Sequence, residues 1–193
     1  MLPDGCCDLI LRVAPGQSAQ WFISALADSA YGVECAAGER FQGWRFHPGA
    51  RVDEAGLMLA ISQCQPLDEH GVLALIDNFV RLDGRIAEAL ESLCGAPDVA
   101  SATRQLGVSE RSLERLVRAG TGRTPGYWKS LARIRRAARA LSGRAALADI
   151  AADHGYADQA HMSREFRRWF GLSPSGFQAS PVLPDLVAQA GYG

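Results

Sequence analysis

The chain has 193 residues, 48% hydrophobic and 21% charged, with a formal net charge of -1, which supplies apolar side chains for a packed core and excludes a disordered or low-complexity chain. The near-neutral total hides a division: residues 1–82 hold 5 basic and 10 acidic side chains, net -5, whereas residues 98–181 hold 14 basic and 7 acidic, net +7, the electrostatic footprint of a polyanion-binding module. No apolar run approaches the roughly 18 residues of a membrane helix and no basic-then-apolar leader opens the chain, while five cysteines, with Cys6 adjacent to Cys7, suit neither a disulfide framework nor a metal knuckle. The expectation is a soluble cytoplasmic protein with reduced thiols, no membrane partner, no metal and no cofactor.

The first eighty residues read as mostly strand. Segments 8–13, 20–25, 31–36 and 40–46 are short and apolar or aromatic, separated by turn-rich pieces at 14–18 and 37–39 and closed by His47, Pro48 and Gly49, so a small β-rich domain is expected. Residues 54–61 and 69–80 read as helices, the second with Val72, Ile76 and Val80 on one stripe, placed to cover one open side of the sheet. Trp21, Phe22, Tyr31, Trp44 and Phe46 offer either a pocket for an apolar effector or, as the favoured reading, plain core. His47 has no second histidine near it and reads as a turn residue rather than a metal ligand. Cys6 or Cys7 as a redox sensor or alkyl acceptor would require a depressed thiol pKa, yet the basic residue nearest in sequence is Arg12.

A helix over 84–93 carries Ile86, Ala87, Leu90 and Leu93 on one stripe and ends at Gly95, Ala96 and Pro97. The boundary is therefore placed near Leu82, giving a β-rich N-terminal sensory or dimerisation domain over 1–82, an all-α domain over 83–181 and a tail over 182–193. The overall class is α+β.

Residues 83–181 hold two copies of one unit. A shift of 49 places Ala102 on Ala151, Leu113 on Met162, Arg115 on Arg164, Val117 on Phe166, Arg118 on Arg167, Gly122 on Gly171, Pro125 on Pro174 and Trp128 on Phe177. In the first copy, 99–106 is a leading helix, Gly107 and Val108 turn, and 109–119 is a second helix. Its apolar positions are Leu113, Leu116 and Val117, and its outward face is Arg111, Glu114, Arg115 and Arg118. In the second copy, 148–154 leads, Gly155 and Tyr156 turn, and a helix follows over about 158–169, with Ile150 and Ala151 meeting Met162, Phe166 and Phe170. Its outward face is Ser163, Arg164 and Arg167, with Gln159 and His161 at the exposed start. Hydrogen-bonding and cationic helix faces of this kind match what a DNA major groove presents.

Each copy ends in Gly-x-(Thr/Ser)-Pro, where Thr124 or Ser173 supplies an N-cap oxygen and the proline takes the first helical position. The helix after the first copy, 125–141, has Tyr127, Leu131, Ile134, Ala138 and Leu141 on one stripe. It reads as a connector of about 24 Å, to be set against about 34 Å between successive major-groove faces on one side of a duplex.

Residues 83 to about 180, and above all DIAADHGYADQAHMSREFRRWFGLSPSGF at 149–177, resemble the DNA-binding domain of the AraC/XylS family of bacterial transcription regulators. The resemblance implies a two-lobed all-α fold whose two second helices enter consecutive major grooves. It also implies base or phosphate contacts from Arg111, Glu114, Arg115, Gln159, His161, Ser163 and Arg164, and no catalysis. Residues 2–10 (LPDGCCDLI) and 43–50 (GWRFHPGA) are similar to a short N-terminal domain of some members. The chain departs from the family pattern at Ala157, where serine often caps and Asp158 is left to do so, at Met162 in place of a common phenylalanine, and at Ala160, which is too short for a polar base contact. Double-stranded DNA is the implied partner. RNA polymerase, a small-molecule effector and a second copy of the chain are further candidates, and the rival reading is a thiol-based alkylation or redox sensor at Cys6 and Cys7 addressed to DNA.

Overall fold

The computed structural model of the protein describes residues 1–64, 67–143 and 145–193. Strand β1 (Asp8–Val13) lies at the centre of an antiparallel sheet between β2 (Gln20–Ile23) and β3 (Arg40–Arg45). The register sets Leu9 opposite Ile23 and Trp44, and Leu11 opposite Trp21 and Gln42, so alternate residues share one face. That face packs on α1 (Glu54–Gln63) and α2 (Glu69–Phe79), where Leu9, Phe46, Leu57, Ile61 and Val72 are buried together. Both helices start where an aspartate accepts an amide hydrogen bond, Asp53 from Gly56 at 3.0 Å and Asp68 from Gly71 at 2.8 Å. A two-residue ladder of β4 (Arg51–Val52) with β5 (Val80–Arg81) closes the pair.

The strand expected over 31–36 does not form. Its flanking backbone is engaged elsewhere: the Ala30 amide donates to the Trp169 carbonyl at 2.8 Å and the Tyr31 amide to the Met1 carbonyl at 3.2 Å. Tyr31 and Val33 stay exposed, so the β-branched and aromatic character that signalled a strand has no sheet face to fill.

The helical half contains α3 (Gly84–Gly95), α4 (Val99–Leu106), α5 (Glu110–Thr121), α6 (Pro125–Ala140), α7 (Leu147–Asp153), α8 (Gln159–Phe170), α9 (Pro174–Gln178) and α10 (Leu183–Ala188). Helix α6 is its axis. Trp128, Leu131, Ala132, Ile134, Ala137 and Ala138 are all buried, so α6 is covered on nearly every side. Residues beyond the helical half join the same core: Leu2 from the N-terminal segment, and Val187 and Tyr192 from 182–193. The Tyr192 hydroxyl donates to the Leu90 carbonyl at 2.7 Å and its ring meets Trp128 edge-on at 4.8 Å.

Candidate nucleic-acid interface

The two units are built by the same local chemistry. In the first, Asp98 caps α4 by accepting from the Ser101 amide at 2.6 Å, Gly107 ends it at φ +65°, and Ser109 caps α5 by accepting from the Ser112 amide at 3.2 Å. Positive φ is what lets the chain reverse within so short a turn, at no steric cost for glycine. In the second, Gly155 at φ +71° makes the reversal after α7, and Asp158 caps α8 by accepting from the His161 amide at 2.6 Å. Asp158 thus takes the role that Ala157 leaves open. Thr124 and Ser173 accept from the Tyr127 and Gly176 amides, both at 3.1 Å, ahead of Pro125 and Pro174.

One face of each second helix is locked into the core. Leu113 and Val117 of α5 are fully buried, as are Met162, Phe166, Trp169 and Phe170 of α8. Phe166, Phe170 and Phe177 form one aromatic cluster with centroids 4.8–5.8 Å apart. This fixes the rotation of each helix about its axis, and with it the direction of the opposite face.

That opposite face carries the sequence-predicted residues. On α5, Arg111, Arg115 and Arg118 are exposed and Glu114 is partly so, with Glu114 3.5 Å from Arg118 in a loose i,i+4 pair. On α8, Gln159, Arg164 and Arg167 are exposed, while Ser163 and His161 are half-buried. Gln159, Ala160, Ser163, Arg164 and Arg167 line one shallow hollow, so a ligand seated there meets four polar side chains and one methyl group. His161 is held rather than free: its ring stands edge-on to Tyr156 at 5.3 Å and its Nδ1 faces the Ala157 amide at 3.5 Å.

Several cations counted in the basic footprint are engaged by groups of the chain itself. Arg135 of α6 is buried and donates to the carbonyls of Pro3, Val187 and Gln189 at 3.1–3.3 Å; burial pushes its guanidinium below the usual arginine range. Arg136 donates to the Cys94 carbonyl at 2.7 Å and Lys129 to the Ala96 carbonyl, which closes the C-terminal end of α3. Arg139 donates to the carbonyls of Val187 and Gly193. Arg133 lies 4.6 Å over the Tyr156 ring and reaches the Gly155 carbonyl at 3.4 Å, and Arg123 pairs with Asp28. Sequence reasoning missed these roles. The one legible signal was the alanine content of α6, with Ala132, Ala137 and Ala138 flanking the arginines, since small residues on several faces mark a helix that other chain approaches from more than one side.

The N-terminal candidates separate. Trp21 and Trp44 stack at 5.5 Å and Phe46 is buried, whereas Phe22 and Tyr31 are exposed, so the five aromatics do not line a common pocket. His47 is exposed and its Nδ1 lies 2.8 Å from the Pro48 carbonyl. Cys6 is buried, and burial, with Asp4 beside it, pushes its thiol up to about 12. Burial also raises Cys7. Both shifts run opposite to what a reactive thiolate needs.

Residues 102–180 match a family model described as a helix-turn-helix domain. The match starts within α4 and reaches past α9, and it identifies this part of the chain as a DNA-binding domain of transcription regulators. No curated protein and no solved structure matches the chain. Among the described residues, no helix is long and apolar enough to cross a membrane.

Proposed function

We propose that this chain is a sequence-specific DNA-binding transcription regulator of the AraC/XylS kind, in which α5 and α8 enter consecutive major grooves on one side of a duplex. The observation that carries this reading is the equivalence of the two units: each second helix buries one face through aligned positions, Leu113 with Met162 and Val117 with Phe166, and exposes Arg115 or Arg164 on the other. A single cationic helix face is ordinary solvated surface. Two in the same register of a repeat, joined through a buried helix of 16 residues that spans about 24 Å, form a spaced pair of readers.

In this reading Arg115 and Arg164 address base edges, where the guanidinium fork matches the O6 and N7 acceptors of guanine. Arg118 and Arg167, one turn further along each helix, address phosphates, which position the protein without reading sequence. Arg111, Glu114, Gln159, His161 and Ser163 complete the two surfaces. The regulator works in the cytoplasm by binding, without catalysis, and RNA polymerase is the protein partner its DNA-bound form would meet.

Selection of bound duplexes from a random pool tests this. Two enriched half-motifs with centres about one helical turn, roughly 10 base pairs, apart are expected. An enriched motif confined to one half-site would remove one unit from the interface, and no enrichment at all would overturn sequence-specific binding.

A further inference from the structure

The cationic surface beside α5 continues past the edge of the helix-turn-helix domain. Five arginines lie in residues 1–82, and most of those near other charges are engaged. Arg12 pairs with Glu39. Arg45 pairs with Asp4 and Asp8 at 2.9 and 3.0 Å. Arg81 folds back on the Asp77 and Val80 carbonyls at the end of α2. Arg40 opens β3 at the far end of the three-stranded sheet.

Arg51 is different. It is exposed, and among the described residues it has no carboxylate within salt-bridge distance and no side-chain hydrogen bond. The β4–β5 register sets it directly opposite Arg81, and like charges opposed across a ladder repel. Arg51 and Arg85 both line a groove of about 690 Å³ between α3 and α5, and the α5 wall of that groove carries Ser112 and Arg115. Among the described residues Arg85 is held only by Asp83, in a solvent-facing pair at 3.2 Å with side chains 77% and 41% exposed, an arrangement weak enough to exchange for a stronger anion. Asp83 and Glu88 are the acids on the same groove, leaving the three arginines in excess.

A helix seated in a major groove has a sugar-phosphate backbone along each side of it. Cations standing beside Arg115, off the base-reading face, are therefore placed to meet a backbone. The geometry points to Arg51 and Arg85 as a phosphate-binding extension of the interface, gripping the DNA strand that borders the groove entered by α5. The N-terminal half thus contributes to DNA affinity directly. This inference rests on the DNA-binding reading of α5.

The test uses the full chain and a duplex bearing the selected motif, with affinity measured across a salt series. Arg51→Gln and Arg85→Gln should each reduce the slope of log K against log salt by about 0.9 while the preferred base at each motif position stays unchanged. The double variant should also become insensitive to trimming the flank beside the α5 half-motif, a cut that weakens the wild type. Arg81→Gln should leave the slope alone. All three sites are exposed, so unchanged circular dichroism is expected to accompany these effects. An unchanged slope in the double variant, alongside a reduced slope in Arg118→Gln, overturns the extension and leaves the reading of α5 standing. A wild-type chain that binds the duplex without salt dependence overturns both.

Discussion

Asp28 and Arg123, 95 positions apart, close a two-pronged ion pair, with Nε and Nη2 of the arginine 3.0 and 2.7 Å from the two carboxylate oxygens. The segment that carries Asp28 also accepts from the Tyr127 hydroxyl at Ala27, 3.3 Å, and donates from Ala30 to the Trp169 carbonyl, 2.8 Å. Residues 27–30 therefore touch the end of the first unit, the start of α6 and the end of α8 at once. Because the Asp28 side chain is 60% exposed, the pair itself contributes little to stability: a double-mutant cycle of Asp28→Ala and Arg123→Ala in urea should give a coupling of about 0.2–1 kcal/mol. Its larger effect should be on spacing. Binding of Asp28→Ala to duplexes with one base pair inserted between half-motifs should be penalised less than that of the wild type, and equal penalties would show that the strap does not set the distance.

Arginines assigned to bases and to phosphates should fail in different ways. Arg164→Ala and Arg115→Ala should each cost about 1–3 kcal/mol of affinity and relax preference at one base pair. Arg118→Gln and Arg167→Gln should weaken binding similarly on all sequences and flatten the salt dependence by about 0.9 each. Titration of matched and mismatched duplexes at several salt concentrations separates the two classes. Identical behaviour in both would mean the faces are misassigned.

Arg135 should matter to folding and not to base recognition. Arg135→Met keeps most of the volume but leaves the Pro3 and Gln189 carbonyls without their donor and the Val187 carbonyl with Arg139 alone, for an expected loss of about 1–3 kcal/mol. The readout is the denaturation midpoint together with faster proteolysis near 183–193. Preserved stability would mean that water satisfies those carbonyls equally well.

The Cys6 thiol gives a pH signature. Its folded-state value is pushed up to about 12 from an ordinary 9.0, chiefly by burial. The unfolded chain thus releases this proton near pH 9 while the folded chain still holds it, so stability should decline as pH rises from 9 towards 12. Cys6→Ala should flatten that decline. At pH 8, iodoacetamide should label exposed Cys35 and Cys64 in the native protein and reach Cys6 only on unfolding. Rapid stoichiometric labelling of Cys6 under native conditions would instead revive a thiol-sensing role.

Much of the helical half was open to reading from the chain alone. The 49-residue offset, the Ser/Thr-Pro caps at Thr124–Pro125 and Ser173–Pro174, and the apolar stripes of α5 and α8 are local patterns, and helix periodicity converts each directly into a buried and an exposed face. The same locality explains the failure at 31–36, where strand-forming residues lacked a neighbouring strand because their flanking amides bind Trp169 and Met1.

What the sequence determined by itself is the repeat and the identity of its exposed arginines, because turn chemistry and periodicity act over a few residues. What only the tertiary structure decided is which cations remain available to a polyanion. Arg123, Arg135 and Arg136 are chemically the same as Arg115 and Arg164 in the one-dimensional chain. They differ because Asp28, the Val187 carbonyl and the Cys94 carbonyl, each more than 40 positions away, arrive beside them on folding, and a guanidinium spends its hydrogen bonds on whatever acceptors the packed chain brings within reach.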